Sequence, residues 1–183
     1  MKLIILDRDG VINHDSDEFI KSPEEWKPIT GSLKAISQLH RAGYRVVVVS
    51  NQSGIARGLI DIDELNRIHL KMIHAVQEKG GQIDSILFCP HGPNDGCNCR
   101  KPKIGMFEEL AERLQVKLNG VIAIGDSERD LVAARLAGAR PVLVKSGKGK
   151  RTLKNAEAEN LQDVPVYENL AAVVEAILQE KLV

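Results

Sequence analysis

Short, largely apolar runs alternate along this chain with stretches whose apolar residues recur every third or fourth position. That alternation narrows the fold more than any other feature. The runs are residues 3–6, 46–49, 83–88, 121–124 and 141–144. Val46, Val47, Val48 and Val49 are β-branched throughout, which suits a strand buried on both faces of a sheet. Between the runs, Leu33, Ile36 and Leu39 fall at helical spacing, as do Leu65, Ile68, Met72, Ile73 and Val76. Met106, Leu110 and Leu114 mark a third helix, and residues 131–136 a fourth. Gly43, Gly80-Gly81 and Gly138 follow as stop signals. Asp61 and Glu64 have capping-box spacing, and Asn169 is the expected N-cap of a last helix over 170–182. Strands alternating with helices predict an α/β fold, a parallel sheet with helices on both faces. Residues 145–154, rich in Gly and Lys, read as a solvated loop in preference to one that approaches an anionic substrate.

Composition closes off several functions. A chain of 183 residues, 43% of them hydrophobic, suits one domain with a core that needs no staples. Lys+Arg and Asp+Glu are both 25, so no bulk positive charge is available to hold nucleic acid. Aromatics at 3% leave little for base stacking. No stretch is apolar for long enough to span a bilayer, and the start of the chain lacks a signal-peptide pattern. The expectation is a cytoplasmic protein with neither a nucleic-acid nor a membrane partner. A monomer is expected, because no exposed apolar stripe stands out.

In parallel α/β sheets, ligands sit outside the carboxyl ends of the strands. The residues just after the apolar runs are Asp7-Arg8-Asp9-Gly10, Ser50-Asn51-Gln52-Ser53-Gly54 and Gly125-Asp126-Ser127-Glu128-Arg129-Asp130, with Arg100-Lys101-Pro102 ahead of a helix. Together they would place several carboxylates beside a hydroxyl and a Lys. Such carboxylates repel one another unless a cation intervenes, and oxygen ligands suit magnesium. Ser50 and Lys101 could supply a hydrogen bond and a positive charge to phosphate oxygens. A carboxylate can act as nucleophile and form an aspartyl-phosphate, and a second one nearby can serve as acid and base. Each piece also has a plainer reading: a turn at Asp7-Arg8-Asp9-Gly10, a strand-end hydroxyl at Ser50, a solvated Lys101, or helix-start charges at Asp126 and Asp130. A calcium loop is excluded, since Gly10 stands at the fourth position of such a loop instead of the sixth.

All three cysteines lie between residues 89 and 99. An odd number is a poor disulfide framework. Cys89-x-His91 and Cys97-x-Cys99, joined by a Gly/Pro turn, can instead close around a tetrahedral zinc with all four positions filled by protein. That makes a structural site, and it runs directly into Arg100 and Lys101.

On these motifs the chain resembles the haloacid dehalogenase-like phosphatases. Asp7-x-Asp9-Gly10 looks like their first motif, Ser50 the second, Lys101 the third and Gly125-Asp126-x-x-x-Asp130 the fourth. The resemblance implies a Rossmann-like α/β fold. It implies Asp7 as nucleophile, Asp9 as general acid and base, and magnesium held by Asp7, Asp126 and the backbone carbonyl of Asp9. Asp130 would act behind these. The chain between Ser50 and Arg100 leaves no room for a large cap domain, so residues 1–183 are expected to be a single phosphatase domain carrying a zinc loop at 89–99. The full set, including residues 50–58 and Cys99-Arg100-Lys101-Pro102, resembles the branch that acts on heptose 1,7-bisphosphate. This implies a sugar bisphosphate substrate and loss of its 7-phosphate on the route to nucleotide-activated heptose and lipopolysaccharide core. It also implies substrate contacts from Asp15, Ser16, Asp17 and Glu18, from Ser50, Asn51, Gln52 and Ser53, and from Arg100 and Lys101. Val11 and Ser50 depart from the pattern, since many relatives carry Thr at both. The rival within the enzyme class is a histidinol-phosphate phosphatase. The rival outside it is a non-catalytic zinc-containing phosphosugar-binding module, which would have no need for Asp9 beside Asp7.

Overall fold

The computed structural model describes residues 2–182. Its centre is one parallel six-stranded sheet: β1 (Lys2–Leu6), β2 (Tyr44–Asn51), β3 (Ser85–Cys89), β4 (Ile122–Gly125), β5 (Arg140–Val144) and β6 (Val166–Tyr167), in the order β3-β2-β1-β4-β5-β6. The helices are α1 (Ser32–Arg41), α2 (Ile62–Glu78), α3 (Gly105–Leu114), α4 (Glu128–Leu136), α5 (Gly149–Asn155), α6 (Ala158–Leu161) and α7 (Leu170–Leu178).

The strand alternation sorts side chains into two cores. Ile4, Leu6, Val46, Val48, Ile124, Val142 and Val144 face α1, α2 and α7. Leu3, Ile5, Val47, Val49, Leu87 and Ala123 face Met106, Phe107 and Leu110 of α3 and Ala133 and Ala134 of α4. Because both faces are covered, the valine run of β2 is fully buried.

The strands fan outward in two directions from β1. The chain passes from β1 to β2 and β3 on one side, then returns to β4 and β5 on the other. The switch point between β1 and β4 opens a crevice at the carboxyl edge. Asp7 and Asp126 leave the sheet on either side of it.

Several expectations shift at the ends of elements. Strand β3 starts at Ser85 instead of residue 83, because the Asp84 carboxylate accepts the Val46 N–H at 2.8 Å and so takes over the first ladder position. Asp61 does cap α2, accepting the Glu64 N–H at 2.7 Å, but the Glu64 carboxylate turns to Arg67 instead of closing the box. The last helix stops at Leu178, four residues short of the expected 182. Beyond it Glu180 turns to φ 55, and Leu182 packs back on the core, so the apolar pattern outlasts the helix. The Lys-rich stretch is not the loop expected of it. It contains α5, and Thr152 within that helix is buried.

Candidate active site

The crevice is built around one buried cation. Lys101 reaches it from the segment between β3 and α3 and is only 3% exposed. Its Nζ lies 3.1 Å from Asp7 Oδ1 and 2.6 Å from Asp130 Oδ1, and donates to the Val49 carbonyl at 2.7 Å. The two carboxylate contacts are ion pairs by distance but are not aligned as hydrogen bonds. Asn51, at the end of β2, grips the Lys101 backbone from both sides. Its Oδ1 accepts the Lys101 N–H at 3.0 Å, and its Nδ2 donates to the Lys101 carbonyl at 3.0 Å. The amide of Asn51 therefore fixes where the ammonium sits.

Asp130 belongs to the first turn of α4. Its Oδ2 accepts the Ser127 N–H at 3.0 Å and the Ser127 hydroxyl, which fixes the helix start. Asp126 is held by two bonds from the far side of the crevice: Lys148 N–H to Oδ2 at 2.7 Å, and Thr152 Oγ1 to its carbonyl at 2.7 Å. Two glycines make room for it. A Cβ on Gly10 would stand 1.9 Å from Asp126 Oδ2, and one on Gly147 would stand 2.2 Å from the same atom. Both glycines have positive φ, 83 and 57.

The charges do not balance. Burial pushes Asp126 up to about 8, with Asp130 and Asp7 adding to the rise. Burial likewise raises Asp7 to about 6, against the pull of Lys101. Burial works against the Asp130 carboxylate too, but Lys101, Arg129 and the Ser127 hydrogen bond together outweigh it and hold Asp130 below the ordinary range. Lys101 answers in kind, its pKa raised by Asp130 and Asp7 in spite of burial. Carboxylate oxygens of Asp7, Asp126 and Asp130 can all lie within 4.8 Å of one another, and Lys101 faces only Asp7 and Asp130 of the three. An all-oxygen donor set with surplus negative charge fits a hard divalent cation such as magnesium.

Asp9 sits differently. Arg8, fully buried, clamps it through Nε to Oδ1 at 3.0 Å and Nη2 to Oδ2 at 2.9 Å. Asn13 Nδ2 donates to Oδ1 at 2.8 Å and Gln52 Nε2 to Oδ2 at 2.9 Å. Burial opposes the charge, but Arg8 and these donors keep Asp9 below the usual carboxylate range. In this arrangement the carboxylate is kept ionised; taking up a proton requires it to shed some of those donors. Gln52 also donates to Ser50 Oγ at 2.8 Å, which leaves the Ser50 hydroxyl hydrogen free for another acceptor.

Cys89, His91, Cys97 and Cys99 come together at the end of β3. Cys89 Sγ is 3.7 Å from Cys97 Sγ and 3.5 Å from His91 Nδ1, and His91 Nδ1 is 3.3 Å from Cys99 Sγ. A tetrahedron with zinc–sulfur bonds near 2.3 Å has edges of about 3.8 Å, so the donor set fits zinc. Cys99 Sγ at 2.9 Å from Cys89 Sγ is the one edge well inside that spacing. Arg100 Nη1 donates to the His91 carbonyl at 3.1 Å, tying the next residue back to the loop.

A cleft of about 190 Å³ lies over Asp7, Asp9, Lys101 and Asp126. Asp15, Ser16 and Asp17 line it, as do Ser50 through Ser53, Arg100 and Lys101. Glu18 does not; it faces a neighbouring shallow groove with Lys21 and Lys27.

A family model described as HAD-hydrolase-like matches residues 98–173. The D-glycero-beta-D-manno-heptose-1,7-bisphosphate 7-phosphatase of Bordetella bronchiseptica is 55% identical over 180 residues, 98% of this chain and 99% of that one. The protein of the same name from Pseudomonas putida is 51% identical over 97% of this chain and 100% of its own. A crystal structure of the Bordetella D,D-heptose 1,7-bisphosphate phosphatase, complexed with magnesium and phosphate, superposes with a TM-score of 0.94, covering 98% of this chain and 99% of that chain. The chain belongs to the heptose-1,7-bisphosphate 7-phosphatase family of the haloacid dehalogenase-like phosphatases.

Three charged cleft residues of this family member were not singled out from sequence: Arg57, Arg129 and Lys148. Arg57 stacks over the Phe19 ring at 5.5 Å, and Phe19 itself has φ 67. Burial and then the charges of Arg129 and Arg57 hold the Arg100 guanidinium below its usual pKa, which places the three cations on one rim. Arg129 stands inside the fourth motif, one residue before Asp130, and that spacing is the signal that could have found it. Lys148 had no such signal, because it lies in a stretch that reads as solvated.

Proposed function

We propose that this chain removes the 7-phosphate of D-glycero-β-D-manno-heptose 1,7-bisphosphate, leaving heptose 1-phosphate for nucleotide activation toward lipopolysaccharide core. The reading is supported above all by one observation. A buried Lys101 faces a cluster of carboxylates under a rim of Arg57, Arg100 and Arg129, a layout that suits a substrate with two phosphates. Relatives carrying that activity in their names match at 50–55% identity along nearly the full chain.

Asp7 attacks phosphorus in line. A new bond forms from its carboxylate to phosphorus while the bond to the sugar oxygen breaks. Lys101 and the Ser50 hydroxyl bind phosphoryl oxygens as charge develops on them. Asp9, protonated once it leaves part of its Arg8, Asn13 and Gln52 clamp, passes that proton to the departing sugar oxygen. It then takes a proton from water, which attacks the aspartyl-phosphate and releases Asp7. Asp130 keeps Lys101 in place. The side chains of Asp7 and Asp126 and the Asp9 carbonyl would hold magnesium, which when bound neutralises phosphoryl charge. Cys89, His91, Cys97 and Cys99 would hold a structural zinc that fixes the approach of Arg100 and Lys101. Asp15, Ser16, Asp17 and Ser53 meet the sugar, whereas Asn51 and Gln52 serve through Lys101, Ser50 and Asp9. We take residues 1–183 to be one catalytic domain, working as a cytoplasmic monomer.

The test is phosphate release, with magnesium present, from heptose 1,7-bisphosphate and from histidinol phosphate side by side. A preference for the bisphosphate that spares the 1-phosphate is the expected result. A preference for histidinol phosphate overturns the substrate assignment. Normal turnover by a folded Asp7→Asn variant overturns the mechanism.

A further inference from the structure

The turn after β5 touches Gly10, Asp126 and the loop that carries Asp15 and Asp17. Ser146 Oγ donates to the Gly10 carbonyl at 2.7 Å, and a Cβ on Gly147 would meet Gly10 Cα at 2.4 Å, so the two backbones are in close contact. The next residue, Lys148, gives its N–H to Asp126 Oδ2 at 2.7 Å. Its side chain then runs the other way and places Nζ 2.8 Å from Asp15 Oδ2, with Asp17 Oδ1 at 3.9 Å. Lys148 is thus bonded at one end to the carboxylate beside Asp7 and at the other to the loop that walls the cleft.

From this we infer that Lys148 is a positioning residue for substrate recognition, latching the loop around Asp15 and Asp17 to the Asp126 side of the cleft. The inference rests on the phosphatase reading above.

Burial decides which of the ion pairs matters. Lys148 and Asp15 are 25% and 14% exposed, so their pair is shielded from most of the screening that weakens surface pairs. Arg151 and Asp17 are 56% and 77% exposed at 3.4 Å, and that contact adds little. Lys148 also occupies the N-cap position of α5, where a cation is electrostatically disfavoured. Asp15 offsets that cost. The backbone end of Lys148 is held by the glycine contact and Asp126, so the pairing with Asp15 has only the side chain left to order. Asp15, Ser16 and Asp17 have few other ties, because the loop is held mainly toward its ends, by Asn13 Nδ2 to the His14 carbonyl at 2.9 Å, Lys21 Nζ to the Glu18 carbonyl at 2.9 Å and Arg57 over the Phe19 ring. Phe19 N–H to the Ser16 carbonyl at 3.1 Å and His14 N–H to the Lys27 carbonyl at 2.9 Å are among its few backbone bonds.

The test combines kinetics on heptose 1,7-bisphosphate with hydrogen–deuterium exchange of residues 14–19, using full-length protein with magnesium. Lys148→Ala is expected to raise KM about tenfold and to change kcat by less than about threefold. The same variant should speed exchange of the 14–19 amides by at least about fivefold. Lys148→Arg should restore most of both, because it keeps the charge and the reach. Asp15→Asn should raise KM at least as much, since Asp15 also meets the sugar, and the double variant should be no worse than Asp15→Asn alone. Additive penalties would overturn the latch, since Lys148 would then meet substrate independently of Asp15. Unchanged exchange in Lys148→Ala would also overturn it. If the unaltered protein fails to hydrolyse the bisphosphate, the proposed function falls, and the exchange comparison alone decides whether Lys148 holds the loop.

Discussion

His69 provides a quantitative check on the packing behind the active site. It lies on α2, 6% exposed, with its ring tilted against Phe88 at a centroid distance of 5.8 Å and its Nε2 without a partner. Burial is the main reason its pKa falls to about 4; the Arg8 guanidinium adds to the fall and Asp9 opposes it. In the unfolded chain the imidazole titrates near 6.5. Between these two values the unfolded state binds a proton that the folded state refuses. The stability tied to a neutral His69 is therefore complete above about pH 6.5 and is lost as the pH falls toward 4. At 1.36 kcal/mol per unit the full loss is about 3 kcal/mol, and by pH 5 it is about 2 kcal/mol. Other groups titrate in the same range, so the measurement is a difference. Urea unfolding of the parent and of His69→Gln, followed by the fluorescence of the single Trp, Trp26, is compared at pH 7 and pH 5. The parent's advantage over the variant should shrink by about 2 kcal/mol between the two pH values. A gap that stays constant to within about 0.5 kcal/mol would refute the argument that this imidazole is kept neutral by burial.

Gly10→Ala should cost at least about 1–2 kcal/mol from its φ alone and should also displace Asp126. Calorimetric titration with magnesium should accordingly show lost binding, and intact binding would sink the packing argument. Lys101→Met removes the one cation between Asp7 and Asp130, and single-turnover phosphate release should slow on the order of 10²–10³-fold. A loss under tenfold would take Lys101 out of transition-state stabilisation. Cys97→Ser should empty the zinc site by elemental analysis and lower the midpoint of thermal unfolding by about 6–12 °C, as expected for a loss of about 3 kcal/mol. An unchanged midpoint with zinc absent would show that the loop holds itself.

Much of this protein follows from local pattern. Continuous β-branched runs, helical spacing and a capping Asn169 depend on near neighbours in the chain, so the α/β alternation, most element positions and the approximate ends of the strands could be read directly. The strand-end rule then drew Asp7, Ser50, Lys101, Asp126 and Asp130 together, and the structure places them at one crevice. The Cys/His spacing likewise anticipated a four-residue cluster. What required the tertiary structure is what depends on contacts across long stretches of chain. Asn51 grips the backbone of Lys101, fifty residues away, and Gln52 joins Ser50 to Asp9, so two residues that line the cleft are also bonded to its other members. The final helix ends early because Leu182 folds back on the core, and no local signal encodes that return. Lys148 looked like one solvated lysine among several. It matters because sheet order brings the turn after β5 over Gly10 and Asp126, and only the packing of β1 against β4 and β4 against β5 determines that meeting.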